Sequence, residues 1–176
     1  AIRSRWGQRL AQKKREARVK TFDDLLIELY ERLRGDPADA ESRAQAERLA
    51  ESIRSAFSVV LVDEFQDTDP IQYAVIRRLF LRKREPHPVW FVGDPKQAIY
   101  RFRGADLETY LRARRDVEAL YQTAGSGRFR GVYALTTNYR SSPDLVRAFN
   151  AFWRTAPNPF LREDLAYLEV ESSPKN

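Results

Sequence analysis

Residues Val59-Val-Leu-Val-Asp-Glu64-Phe-Gln-Asp67 constrain this chain more than any other stretch, because four consecutive apolar residues, three of them β-branched, end on two adjacent acids. Such a run predicts a strand covered on both faces, the pattern of a parallel sheet. Open α/β sheets take their ligands at the carboxyl ends of the strands. Two carboxylates placed there suit metal-assisted phosphate chemistry: Asp63 to hold a Mg²⁺ ion, largely through its waters, and Glu64 to orient or deprotonate an attacking water. An isolated Asp-Glu pair reads more simply as two solvated residues in a strand-to-helix turn.

The pair is not isolated. Val89-Trp-Phe-Val-Gly93-Asp94-Pro-Lys-Gln97-Ala-Ile-Tyr100-Arg-Phe102-Arg103-Gly-Ala-Asp106 repeats the plan of a buried strand followed by a polar loop, and Val132-Tyr-Ala-Leu-Thr-Thr-Asn138-Tyr139-Arg140-Ser-Ser-Pro143 repeats it again. Between and after these blocks the chain supplies helix signals. Thr21 with Asp24 forms a capping box ahead of an apolar stripe of Phe22, Leu25, Leu26, Leu29 and Leu33, which stops near Gly35-Asp36-Pro37. A helix from about residue 38 to residue 57 feeds the Asp-Glu strand. Asp69-Pro70 sets an N-cap and first helical position, a further helix is predicted from Leu107 to Tyr121, and Ser142-Pro143 opens another. Pro157, Pro159 and Ser172-Ser-Pro174 predict an irregular tail. The alternation of strand and helix predicts an open parallel α/β sheet flanked by helices.

Taken in this order, the three blocks closely resemble the motor of superfamily 1 DNA helicases of the UvrD/Rep type. The strings Asp-Glu-Phe-Gln-Asp-Thr68, Gly-Asp-Pro-Lys-Gln-Ala-Ile-Tyr100 and Asn-Tyr-Arg-Ser141 carry the resemblance. Ala98, where Ser is commoner, and Phe102-Arg-Gly-Ala-Asp106 continuing to Tyr110 point within that group to the exodeoxyribonuclease V beta-subunit branch.

The resemblance implies a RecA-like P-loop NTPase fold and a set of roles. Asp63 would hold Mg²⁺ and Glu64 would activate water. Gln97, whose amide both donates and accepts, would sense the γ-phosphate of ATP. Arg140 would act as an arginine finger, a device worth ~10³–10⁵ in rate, and Tyr139 would stack on adenine. Tyr100 and Phe102 would stack on bases of single-stranded DNA, with Arg103 on a phosphate or the nearby acids. Taken alone, Tyr100 and Phe102 read as core aromatics, and Arg140 as a bridge between acids. The implied parent is an ATP-dependent DNA helicase and exonuclease subunit of double-strand break repair and recombination. It would act in the cytoplasm on single strands and duplex ends, beside the other subunits of an exodeoxyribonuclease V complex. The alternative is a catalytically silent, helicase-like scaffold that binds DNA or a partner subunit.

Absences refine this expectation. The 176 residues contain no Gly-x-x-x-x-Gly-Lys-[Ser/Thr], the loop whose backbone amides and lysine cradle phosphates, and no Met. An internal segment of a larger protein is expected, lacking the phosphate-loop strand and, on its own, inactive. The expected division is a basic helix over residues 1–20 ending an inserted subdomain, the C-terminal part of a first RecA-like domain over 21–135, and the start of a second, or the linker to it, over 136–176. Without cysteine there is no disulfide framework or thiolate metal site, and no stretch approaches the ~20 apolar residues of a membrane span. A net charge of +6 suits a polyanionic partner, although a Mg-nucleotide fits as well. Lys13, Lys14, Arg15 and Arg18 crowd the first helix, a solvated face by the usual behaviour of charge runs or a DNA-backbone contact by the resemblance. His87, between two prolines, is assigned no role.

Overall fold

The computed structural model describes residues 2–82, 87–98, 106–123 and 131–174. The chain divides into two compact units, one of Ala1–Asp63 with Thr68–Val92 and one of Glu64–Asp67 with Gly93–Asn176.

The first unit carries helices α1 (Ile2–Ala17), α2 (Phe22–Arg34), α3 (Ala40–Ala56) and α4 (Pro70–Phe80), and strands β1 (Val60–Val62) and β2 (Val89–Phe91). Local chemistry sets the helix ends as expected. Thr21 and Asp24 form a reciprocal capping box, and Asp69 caps α4 with Pro70 in its first turn. Gly35 ends α2 at φ 65°, where a Cβ would meet the Ser42 carbonyl at 3.1 Å and the Ala46 Cβ at 3.2 Å, so glycine is required both for conformation and for space. Leu33, Ala50, Val75, Leu79 and Phe80 form the core, with Leu26, Leu29, Ile53, Val60, Ile76 and Val89 packed against it. Glu47 gathers the guanidinium groups of Arg78 and Arg82, each at 2.8 Å. Its carboxyl is lowered from the ordinary range chiefly by the Arg78 hydrogen bond.

Strands β1 and β2 pair in parallel, Val60 with Val89, Leu61 with Trp90 and Val62 with Phe91. Here the expectation of a strand covered on both faces is corrected. Side chains alternate across a strand, and the face bearing Val60 and Val89 packs on the core, with Phe91 against Tyr73 at 6.4 Å between centroids. On the opposite face Val59, Leu61, Trp90 and Val92 are 56%, 65%, 57% and 43% exposed.

The second unit carries α5 (Leu107–Thr123), β3 (Thr137–Asn138), α6 (Pro143–Trp153) and β4 (Glu171–Ser172). The third apolar run does not form the buried strand expected of it, since Tyr133 is 66% and Leu135 91% exposed. Only its last residues pair, Thr137 with Glu171 and Asn138 with Ser172, in parallel. The tail is therefore more regular than its prolines suggest. Trp153, Phe160 and Tyr167 pack against one another as tilted rings, and Asn150 on α6 donates to the Val170 carbonyl at 2.8 Å while accepting from the Tyr167 hydroxyl at 2.6 Å. These contacts deliver β4 to β3. Among the described residues no helix is long and apolar enough to cross a membrane.

Candidate functional site

Glu64 has φ 49°, in the left-handed region. A non-glycine residue there costs roughly 1–2 kcal/mol, and strain of this kind collects at sites where a fold must aim a functional group. From Glu64 the chain enters a single 3-10 turn, Phe65–Asp67, and the Asp67 amide donates to the Glu64 carbonyl at 2.9 Å. Within the turn Phe65 and Gln66 are only 2% and 3% exposed. Phe65 lies against Tyr110 of α5 with ring centroids 5.9 Å apart. The exposed Glu64 is thus mounted on a buried base.

Gln66 uses both ends of its amide. Its Nε2 donates to Glu64 Oε2 at 2.7 Å, and its Oε1 accepts the backbone N–H of Asp94 at 3.0 Å. Asp94 in turn caps the turn Pro95–Gln97: its Oδ1 accepts the Lys96 amide at 3.0 Å and its Oδ2 accepts the Gln97 side-chain amide at 3.3 Å. A continuous hydrogen-bonded run therefore joins Glu64, Gln66, Asp94 and Gln97. Gly93 lets it form, because a Cβ there would lie 2.5 Å from Gln66 Oε1 and 2.9 Å from the Phe65 backbone nitrogen. Burial opposes the charge of Asp94, but the Lys96 ion pair at 2.7 Å, the Lys96 amide and the Gln97 side chain outweigh it and hold the carboxyl below its ordinary range. Burial, and then the charge of Asp94, push the Tyr110 phenol up.

Arg140 stands in a different turn. Asn138 Oδ1 accepts the backbone amides of Arg140 and Ser141, each at 2.8 Å, folding the chain after β3 into an Asx-type turn. The strand side of that residue is fixed as well, since the Ser173 amide donates to the Asn138 carbonyl at 2.8 Å. Tyr139 is 72% exposed and Arg140 is also exposed. Asp63, exposed, follows β1 in the first unit. Tyr100, Phe102 and Arg103 lie outside the described residues.

Of the residues expected from the sequence, Glu64 and Gln97 are brought into one network, while Tyr139 and Arg140 share their own turn. Gln66 and Asn138 escaped the sequence reading as parts of the site. The available signal for Gln66 was its place two residues after Glu64, inside the Asp-Glu-Phe-Gln-Asp-Thr string.

A family model, the UvrD/REP helicase N-terminal domain, matches residues 4–118. The RecBCD enzyme subunit RecB of Escherichia coli is 37% identical over 167 residues, which is 95% of this chain and 12% of that protein. The RecB subunit of Haemophilus influenzae is 37% identical over 94% of this chain and 12% of its own length, and that of Mycobacterium tuberculosis 38% identical over 89% and 12%. The chain thus spans about one-eighth of the length of these relatives. With the helicase model matched over more than half of its residues and RecB subunits aligned along most of the rest, the chain belongs to the UvrD/REP helicase family and is RecB-like within it.

Proposed function

We propose that these residues form the water-activating part of the ATPase site of a DNA helicase motor, working within a longer RecB-like helicase and exonuclease subunit of DNA repair and recombination. The observation that carries this reading is the run Glu64–Gln66–Asp94–Gln97, which ties a strained, exposed carboxylate to a side-chain amide that both donates and accepts. Glu64 accepts the proton of the attacking water. Gln97 senses whether a γ-phosphate is present, exchanging its Asp94 partner for the phosphate. Arg140 stabilises charge on the equatorial oxygens during transfer, and Tyr139 offers an exposed ring to adenine.

Asp63 is an exposed carboxylate, and a single carboxylate is a donor set that suits Mg²⁺ when nucleotide phosphates and water complete the shell. When bound, the ion would neutralise charge on the phosphates. The phosphate-cradling loop is not among the 176 residues, so nucleotide anchoring falls to other parts of the protein.

The fold we infer is RecA-like, with residues 21–135 in the first motor domain and 136–176 opening the second. The apolar face of Val59, Leu61, Trp90 and Val92 supports this, since parallel sheets are covered on both faces. Tyr100, Phe102 and Arg103 take the single-stranded DNA, at duplex ends, in a cytoplasmic complex with other exodeoxyribonuclease V subunits. DNA-stimulated ATP hydrolysis tests the reading: Asp63→Asn and Arg140→Ala should each lower kcat by more than about 100-fold. Wild-type turnover in both would refute it.

A further inference from the structure

Gln66 is absent from the roles given above, yet it is 3% exposed and its amide is used at both ends. A buried glutamine is costly unless satisfied, and here each partner belongs to a different loop, Glu64 from the turn after β1 and Asp94 from the turn after β2. Its hydrogen bond to Glu64 Oε2 at 2.7 Å restrains that carboxylate. Its bond to the Asp94 amide at 3.0 Å fixes the residue whose carboxylate holds Gln97. Gly93 keeps the space beside Gln66 Oε1 empty.

We propose that Gln66 is a positioning residue that orients Glu64 for water activation and makes that orientation depend on the Asp94–Gln97 turn. This role rests on the function proposed above. The two hydrogen bonds form one linkage, so a shift of the Asp94–Gln97 turn on losing a γ-phosphate partner is transmitted to the Glu64 carboxylate without a further element.

Two variants separate the halves of the linkage. Gln66→Met fills a similar volume and loses both hydrogen bonds. Gln66→Glu keeps the acceptor for the Asp94 amide but replaces the donor to Glu64 with a like charge. In the longer protein, each should lower kcat for ATP by on the order of 10- to 100-fold, the scale of a misplaced catalytic group, with KM for ATP within about 2-fold. Added to Glu64→Gln, Gln66→Met should bring no further loss, because the group it positions is already gone. In the 176-residue chain, the Asp94 amide NMR resonance should move in Gln66→Met and stay near its wild-type position in Gln66→Glu. Should Gln66→Met fail to fold, Gln66→Glu, which keeps the bond to the Asp94 amide, carries the test through its own kcat loss.

Wild-type kcat in Gln66→Met, or losses that multiply with Glu64→Gln, would overturn the positioning role while leaving the ATPase reading intact. Wild-type turnover by Glu64→Gln itself would remove the underlying function, and Gln66's role with it.

Discussion

Asn138 holds the backbone of Arg140 through its own side chain, its Oδ1 accepting the Arg140 amide at 2.8 Å. The same oxygen accepts the Ser141 amide at 2.8 Å, so one side chain sets the conformation from which the guanidinium is presented. In Asn138→Ala the two amides lose their acceptor and the turn relaxes. ATP hydrolysis by the longer protein should fall by on the order of 10-fold, a positional effect. Asn138→Asp retains an acceptor oxygen and should recover most of the rate. Steady-state kinetics on the two variants check this, and equal losses in both would detach Asn138 from Arg140.

Glu64 offers a direct measure of backbone strain, because its φ of 49° is tolerated far better by glycine. Glu64→Ala and Glu64→Gly both remove the carboxylate, so their difference isolates the main chain. Glu64→Gly should be the more stable by about 1 kcal/mol, somewhat less than the left-handed penalty because glycine also frees the unfolded chain. Urea denaturation of the 176-residue chain reads this difference. The Ala variant proving the more stable would mean that the left-handed conformation is not imposed on residue 64.

Acid should loosen the start of α2 before it disturbs the first unit's core. The Lys14 ammonium, followed by the Thr21 backbone and side-chain hydrogen bonds, lowers the Asp24 carboxyl from 3.8 to about 2. A carboxyl depressed by folding stabilises above its unfolded value and ceases to do so as pH falls through the folded one. The contribution is thus whole above pH 4 and lost between 3.8 and about 2. Amide exchange in Phe22–Leu25 should rise across that window, and Lys14→Met should move the onset to higher pH. An onset unchanged by Lys14→Met would exclude the ion pair as its cause.

These cases also show which parts of the molecule were legible in the sequence. Thr21 with Asp24 and Asp69 with Pro70 declare helix starts through partners three residues away or fewer, and both stand as expected. Strands β1 and β2 were legible as β-branched and aromatic runs. Whether such a run is covered depends on distant residues, which is why Leu61 and Leu135 are exposed at 65% and 91% although each lies in a run read as a buried strand. Glu64, Gln97 and Arg140 were recognisable from their motif strings. Gln66 was not, because its meaning lies in the Asp94 amide, 28 residues along the chain.

Although it carries Glu64, Gln97 and Arg140, the 176-residue chain by itself should not turn over Mg-ATP. It lacks the loop that anchors phosphates, and positioning accounts for much of phosphoryl-transfer catalysis. Phosphate release by the purified chain should equal that of its Glu64→Gln variant. Turnover above that control would show that the segment binds and cleaves nucleotide without the missing loop.

The most direct test of the account is the ATP cleavage step itself, followed by rapid quench in the longer protein with Glu64→Gln. Cleavage should slow by about 10²–10⁴-fold, the range for loss of a general base, while affinities for Mg-ATP and single-stranded DNA at fixed salt stay within about 2-fold of wild type. Cleavage at the wild-type rate would contradict the assignment of Glu64 to water activation and the ATPase reading that depends on it.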